Sequence, residues 1–269
     1  MAYLKFGVPK VLKVPKVYKD MMHLYNYSLV VIFGLAVLVF IVLFFVSAPY
    51  GKFHRKGWGH SIKAKWAWMI MESPSPILIA LFFIISDKRY LPQMIFVICW
   101  LSHYIYRTFV YPFRQSGREK PYPLILVFMA LLFNCINGFL NGYGVFHLLD
   151  YSASWLLSWQ FIIGFLIFLT GFIINKTADE KLHDLRAQNP DEYKIPEGWL
   201  FRYISSPHYF GEIIEWGGWA LMTWSVSGLA FFVFTFANLF PRAVSSHKWY
   251  REFFPEYPSE RKAVIPFVV

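Results

Sequence analysis

The sequence predicts an all-α, polytopic membrane protein, on three observations. Of its 269 residues 57% are hydrophobic and 16% charged, where a soluble domain carries roughly 25% charged residues. Apolar runs of the roughly 20 residues needed to cross a hydrocarbon core recur along the chain, and no stretch between them is long enough for a soluble domain. Lysine and arginine gather in alternate loops, as the spans of a membrane protein require.

Taken in order, the first span is residues 28–47 (SLVVIFGLAVLVFIVLFFVS), which carries no charge and stops at Pro49. Residues 66–86, 91–111, 122–148 and 155–174 follow, each bounded by charged or turn-forming residues. The stretch 207–240 is too long for one crossing, and the turn-forming SVSG at 225–228 divides it, giving seven spans. Residues 1–27, with Pro9 and Pro15 among spaced lysines and no small-residue cleavage pattern, read as an N-terminal arm rather than a cleaved signal. Residues 28–269 read as a single membrane domain, in which no internal repeat is evident.

Orientation follows from the loop charges. Lys52, Arg55, Lys56, Lys63, Lys65, Arg114, Arg118, Lys120, Lys176, Lys181, Arg186, Lys194 and Arg202 fall on one side, joined by the tail residues Arg242, Lys248, Arg251, Arg261 and Lys262. The intervening loops hold only Lys88 and Arg89. Positive loops stay cytoplasmic, so the C-terminus is expected inside and the N-terminus outside, against the local vote of five N-terminal lysines.

A net charge of +10 does not argue for nucleic acid here. The cations flank spans, where they set topology and meet lipid headgroups. The exception is the fifth loop with the tail, whose clustered cations beside intramembrane polar residues suit an anionic cofactor. Cys99 and Cys135 lie in apolar stretches without metal or redox spacing and read as packing residues.

Chemistry should reside in the polar residues that a bilayer makes expensive. Glu72 interrupts the second span, just before Pro74 and Pro76. It is either a packing carboxyl paired with Arg107 or another basic group, or an acid that a dry pocket keeps protonated and able to donate a hydrogen bond. Tyr104 and Arg107 lie three apart on one side of the third span. Asn175, Asp179 and Arg186 share a helical face, which fits either solvation or binding. His208, Glu212 and Glu215, spaced i, i+4 and i+7, form a polar stripe. A metal site is not expected, because the eight histidines are scattered with no pair three or four apart. No GxGxxG and no Walker loop is present, so a nucleotide would have to be held by helices. On these grounds the sequence is a membrane enzyme with a polar cavity open to the cytoplasm, its reaction unnamed.

At these residues the chain resembles the steroid 5α-reductase family, its type 2 branch most closely. The matching segments are 49–52 (PYGK), 72–75 (ESPS), 103–111 (HYIYRTFVY), 121–123 (PYP), 175–186, 193–198 (YKIPEG), 200–216 (LFRYISSPHYFGEIIEW) and 257–267 (YPSERKAVIPF), in order to the C-terminus. The resemblance implies a seven-helix enzyme that uses NADPH to reduce the C=C bond of a lipid-like enone, a 3-oxo-4-ene steroid foremost. It implies Glu72 and Tyr104 as catalytic donors to the substrate carbonyl. It implies Asn175, Asp179, Arg186, Tyr193, Lys194, His208, Glu212, Tyr250 and Arg261 as cofactor contacts, with Arg118 or Lys120 as the basic residue ahead of PYP. Substrate and membrane lipids are the expected partners, with no nucleic acid, no metal and a monomeric chain. The membrane is a bacterial inner membrane or that of the endoplasmic reticulum.

The chain departs from the family pattern at three places. Met71 stands where a glutamine is expected beside Glu72, His208 replaces an asparagine, and Ser245, Ser246 and His247 replace a histidine run. Other reductase substrates, polyprenol-like lipids or long-chain enoyl thioesters, remain alternatives. An isoprenylcysteine-type methyltransferase fits less well: its Arg-His-Pro-x-Tyr pattern meets Ser205, Ser206, Pro207, His208 and Tyr209, and Glu72 would be unexplained. A transporter would be expected to show an inverted repeat.

Overall fold

The computed structural model describes residues 16–115, 117–189 and 192–269. Helix α1 (Lys16–Phe45) begins well ahead of residue 28, so the latter part of the expected arm is helical. Tyr25 packs there against Tyr143 with ring centroids 6.0 Å apart; residues 1–15 of the arm lie outside the described residues. An apolar run marks the part of a helix inside hydrocarbon, and amphipathic Tyr, Met and Lys carry the same helix on into the interface.

The second span is two helices, α2 (Ala64–Glu72) and α3 (Pro74–Ile85), broken where Pro74 withdraws a backbone donor. The third runs as α4 (Leu91–Ile105), a π turn at Tyr106–Val110, and α5 (Tyr111–Arg114). Such π turns cluster at functional sites. Helix α6 (Leu124–Tyr143) also ends in a π turn. Ser158 caps α7 (Trp159–Gln188), accepting from the Phe161 amide, and this helix continues far past residue 174.

Helices α8 (Pro207–Thr223) and α9 (Val226–Phe253) divide the 207–240 stretch slightly ahead of the expected turn. Trp224 takes a left-handed conformation at φ 46°, and the Ser225 hydroxyl accepts from the Gly228 amide at 2.9 Å to start the next helix. Helix α9 passes through Pro241, which places Arg242 and Tyr250 on a helix rather than in a tail. Two short strands, β1 (Ser61–Lys63) and β2 (Pro121–Pro123), pair antiparallel, an element the periodicity did not anticipate. Glu119 closes this corner against Lys63 at 3.0 Å and against Lys65, and the two ammonium groups hold its carboxyl down at about 2, Lys65 contributing first.

Apolar side chains point outward along the rods. Ile41, Ile84, Ile98, Phe128 and Leu166 are each between 52% and 63% exposed, an arrangement that only a lipid environment tolerates on such a scale. Cys135 is exposed on α6, whereas Cys99 joins the core as expected. Among the described residues, six helical segments have the length and hydropathy to cross a bilayer. Helix α8, with 17 residues, is about 25 Å long at 1.5 Å per residue. The chain is thus an all-α, multi-pass membrane protein.

Inside, Trp100, Trp216, Trp219, Phe96 and Phe168 form a fully buried aromatic core among α4, α7 and α8. Helices α7 and α8 approach backbone to backbone through Gly164, Gly171, Gly211 and Gly218, the small-residue packing that membrane helices use in place of a hydrophobic drive. This contact brings the polar face of α7 alongside that of α8.

Candidate functional site

A cleft of about 330 Å³ opens where the first loop, α2, the π turn, α7, α8 and α9 converge. That volume lies within the range of small-molecule sites. Glu72, Asp179, Arg186, Tyr193, His208, Glu212 and Tyr250, all singled out from sequence, line it together. Lys52, Arg107, Arg114, Lys120, Arg186 and Arg242 line it as well, against the carboxylates Glu72, Asp179 and Glu212. The wall is therefore cationic in balance.

The broken second span presents Glu72. Its side chain has no cation within 4.0 Å among the described residues, and its protein hydrogen bond comes from the Asn134 amide, at 3.4 Å. Arg107 pairs instead with Asp179 at 3.6 Å, its guanidinium lying 4.7 Å and 4.6 Å from the Trp68 and Tyr111 ring centroids. The packing alternative for Glu72, an ion pair with Arg107, is not the arrangement found.

Several expected residues stand back from the cleft. Tyr104 is 4% exposed, stacked on Trp100 at 5.2 Å and placed beside the Ser75 hydroxyl. Asn175 is buried in the α7–α8 contact, where its amide donates to the His208 carbonyl at 3.0 Å and lies 3.5 Å from Glu212 Oε2. Lys194 pairs with Glu192 at 2.8 Å in a separate shallow groove. Arg261 is buried, donating to the Pro196 carbonyl at 2.9 Å, and so ties the tail to the 192–198 segment. The third member of the α8 stripe, Glu215, turns to His103 at 2.9 Å in the core. Of the basic pair ahead of β2, Lys120 lines the cleft, while Arg118 donates to the Phe113 carbonyl outside it.

Lys52 and Arg242 were counted only as loop charge, and the tertiary structure makes both of them wall residues. Lys52 donates to Ser246 Oγ at 2.7 Å and lies 4.4 Å and 4.2 Å from the Trp249 and Tyr250 ring centroids. Burial, with Arg186 repulsion second, pushes its ammonium down to about 7. Arg242 donates to Tyr50 Oη at 2.7 Å. Position in PYGK was the available signal for Lys52; for Arg242 there was none, because it depends on α9 continuing past Pro241. Met71 is 3% exposed, packed with Ala67 and Tyr122 off the cleft. Ser246, at the altered histidine run, is the Lys52 partner, and His247 bonds Ser205 at 2.6 Å.

The wall has the donors and charge for an anionic, hydrogen-bonding ligand. His208 Nδ1 and Arg242 Nε, both buried, have no hydrogen-bond partner among the described residues. Lys52 is held by aromatic faces and a hydroxyl rather than by a carboxylate. A dinucleotide with phosphate charges and ribose hydroxyls fits such groups; a wall of this sign does not suit a cationic ligand.

A family model described as 3-oxo-5-alpha-steroid 4-dehydrogenase matches residues 120–269. The steroid 5-alpha-reductase DET2 of Gossypium hirsutum is 43% identical over 251 residues, covering 91% of this chain and 97% of its own. DET2 of Arabidopsis thaliana is 43% identical over 236 residues, covering 85% and 90%. The 3-oxo-5-alpha-steroid 4-dehydrogenase 1 of Bos taurus is 40% identical over 241 residues, covering 88% and 93%. With this extent of identity, the chain belongs to the 3-oxo-5-alpha-steroid 4-dehydrogenase family of membrane oxidoreductases, the steroid 5α-reductases.

Proposed function

We propose that the protein reduces the 4,5 double bond of a 3-oxo-4-ene steroid with NADPH, with Glu72 and Tyr104 donating hydrogen bonds to the substrate carbonyl. One observation carries this reading: Glu72 reaches the cleft wall without a cationic partner, held by an amide alone. Protonated, a carboxyl so placed is a hydrogen-bond donor.

Lys52, Lys120 and Arg186 would meet the cofactor's phosphates, Arg186 keeping its guanidinium 4.9 Å from the Tyr193 ring centroid. Asp179, His208, Glu212 and Tyr250 offer the hydrogen bonds that ribose and carboxamide groups need, and Asn175 fixes Glu212 from behind. NADPH, when bound, supplies a hydride to the β-carbon of the enone. Negative charge then grows on the carbonyl oxygen, and a proton taken up at the α-carbon would complete the saturated ketone. Donors already aimed at that oxygen stabilise it more than they do the ground state, which lowers the barrier. Tyr104 lies one layer behind Glu72, beside Ser75 on the same broken span, so the carbonyl would lodge between α3 and α4. The surrounding aromatic core keeps water from the reacting carbons.

Purified protein should bind NADPH more tightly than NADH and show no affinity for S-adenosylmethionine. With NADPH it should convert a 3-oxo-4-ene steroid to the saturated ketone, leaving a polyprenol and a long-chain enoyl thioester unreduced. Equal affinity for the two nicotinamide cofactors, or reduction of either of those other lipids alone, would sink the assignment.

A further inference from the structure

Helix α6 carries three buried asparagines, Asn134, Asn137 and Asn141, at i, i+3 and i+7. Each is costly in a bilayer and asks for a reason. Two of them have one within the core: Asn141 donates to Asn137 Oδ1 at 2.9 Å, and accepts from Trp219 Nε1 at 2.9 Å. Asn134 faces elsewhere, toward the break between α2 and α3.

At that break the two prolines remove the donors that would have satisfied the Ile70 and Glu72 carbonyls. The Ser73 hydroxyl covers Ile70, donating at 3.0 Å. Asn134 supplies the rest of the clamp. Its amide donates to the Met71 carbonyl at 2.7 Å and lies 3.4 Å from Glu72 Oε2, while its Oδ1 accepts from Ser75 Oγ at 2.9 Å. Every hydrogen-bonding atom of the side chain is used. With its proton committed to Asn134, the Ser75 hydroxyl ties this amide to the first turn of α3. One turn along α6, Gly138 lets α3 come close enough for these bonds: a Cβ there would meet Leu78 Cδ1 at 3.0 Å.

We infer that Asn134 is a positioning residue for the reduction, a single buried amide that fixes Glu72 and is itself held by Ser75. The inference rests on the assignment of Glu72 as a carbonyl donor. Leucine fills similar volume but makes none of the three bonds, so Glu72 loses its anchor. Misplacement of a reacting group by about 1 Å costs on the order of 100-fold in rate.

The test uses full-length enzyme in detergent micelles, with NADPH and progesterone as the 3-oxo-4-ene steroid. Asn134→Leu should lower kcat about tenfold or more, with NADPH affinity unchanged, since its hydrogen-bond partners Met71, Glu72 and Ser75 are not among the residues assigned to the cofactor. Ser75→Ala, which removes one arm only, should lower kcat roughly two- to tenfold, the worth of one hydrogen bond. When Glu72 is already alanine, the further loss from Asn134→Leu should shrink several-fold, because the group it positions is gone. Two outcomes overturn the inference while leaving the carbonyl donors standing: normal kcat in Asn134→Leu, or the same fold loss with and without Glu72. Normal turnover in Glu72→Ala instead removes the reading on which it rests. Should Asn134→Leu fail to fold, Asn134→Ser and Ser75→Ala, crossed with Glu72→Ala, decide by the same two outcomes.

Discussion

Gly171→Ala tests whether the α7–α8 contact holds the site together. A Cβ at position 171 would lie 2.6 Å from the Glu215 Cα and 2.6 Å from the Gly211 carbonyl oxygen, where ordinary contact begins at 3.4 Å. Both neighbours are backbone atoms and cannot swing aside as a side-chain tip can. The Glu215 backbone nitrogen is closer still, so the helices must part locally by more than about 0.8 Å, the difference 3.4 − 2.6. Overpacking of this sort costs about 1–3 kcal/mol, or a melting-temperature drop of roughly 2–10 °C. The same parting moves Asn175 and Asp179 on α7 away from His208 and Glu212 on α8. A displacement near 1 Å at a reacting centre costs up to about 100-fold. The assay is thermal unfolding of the purified protein with and without NADPH, together with steady-state turnover. Gly34→Ala is the control: a Cβ there meets nothing within 4 Å, and alanine favours the helix by about 1 kcal/mol. It should melt at or above the parent temperature. Were Gly171→Ala to melt with the parent and turn over normally, the close α7–α8 contact would not be what holds the two polar faces in register.

Glu72→Ala should lower turnover on the order of 100-fold, as loss of one oxyanion donor does. Glu72→Gln should fall between, keeping a donor without the acidic proton; NADPH titration should be little changed in both, and parental turnover in the alanine variant would remove Glu72 from the chemistry. Lys52, with its ammonium at about 7 in the free enzyme, is cationic below that pH and neutral above it. A neighbouring phosphate favours the cation, so binding above pH 7 takes up a proton, and the NADPH Kd should rise with pH by at most about tenfold per unit. Lys52→Met should flatten that rise, and an unaltered slope would mean that another group carries the pH dependence. Pro258→Cys, in a background lacking Cys99 and Cys135, should react with an impermeant thiol reagent from the cytoplasmic side of sealed vesicles; labelling from the other face would reverse the orientation drawn from the loop charges.

Much of the site was legible because residues that function in a bilayer stand out against an apolar background. Glu72 and the pair His208 and Glu212 were visible as isolated polar residues in hydrophobic runs, and all three line the cleft. Asn134 went unremarked in the same kind of run, since an uncharged amide breaks hydropathy less than a carboxylate does. Arg242 was assigned to a tail because the apolar stretch ends at residue 240, whereas α9 runs on through Pro241, as neighbouring helices can satisfy the carbonyl that a membrane proline frees. Lys194 and Arg261 have the charge to suit phosphate, but their observed partners are Glu192 and the Pro196 carbonyl.

The sequence by itself determined the membrane, the helical class, the order of the spans and the family likeness, because hydropathy over ~20 residues and ordered motifs are properties of the chain alone. Tertiary structure decided which polar side chains share a cavity. The stripe His208, Glu212, Glu215 illustrates why: spacing puts all three on one side of α8, yet Glu215 sits beneath the α4 and α7 packing and bonds His103, while the other two reach the cleft. Spacing fixes a residue's direction from its own helix axis; what that direction meets depends on where α4, α7 and α9 pass, and their approach is set by glycines and aromatic packing far along the chain.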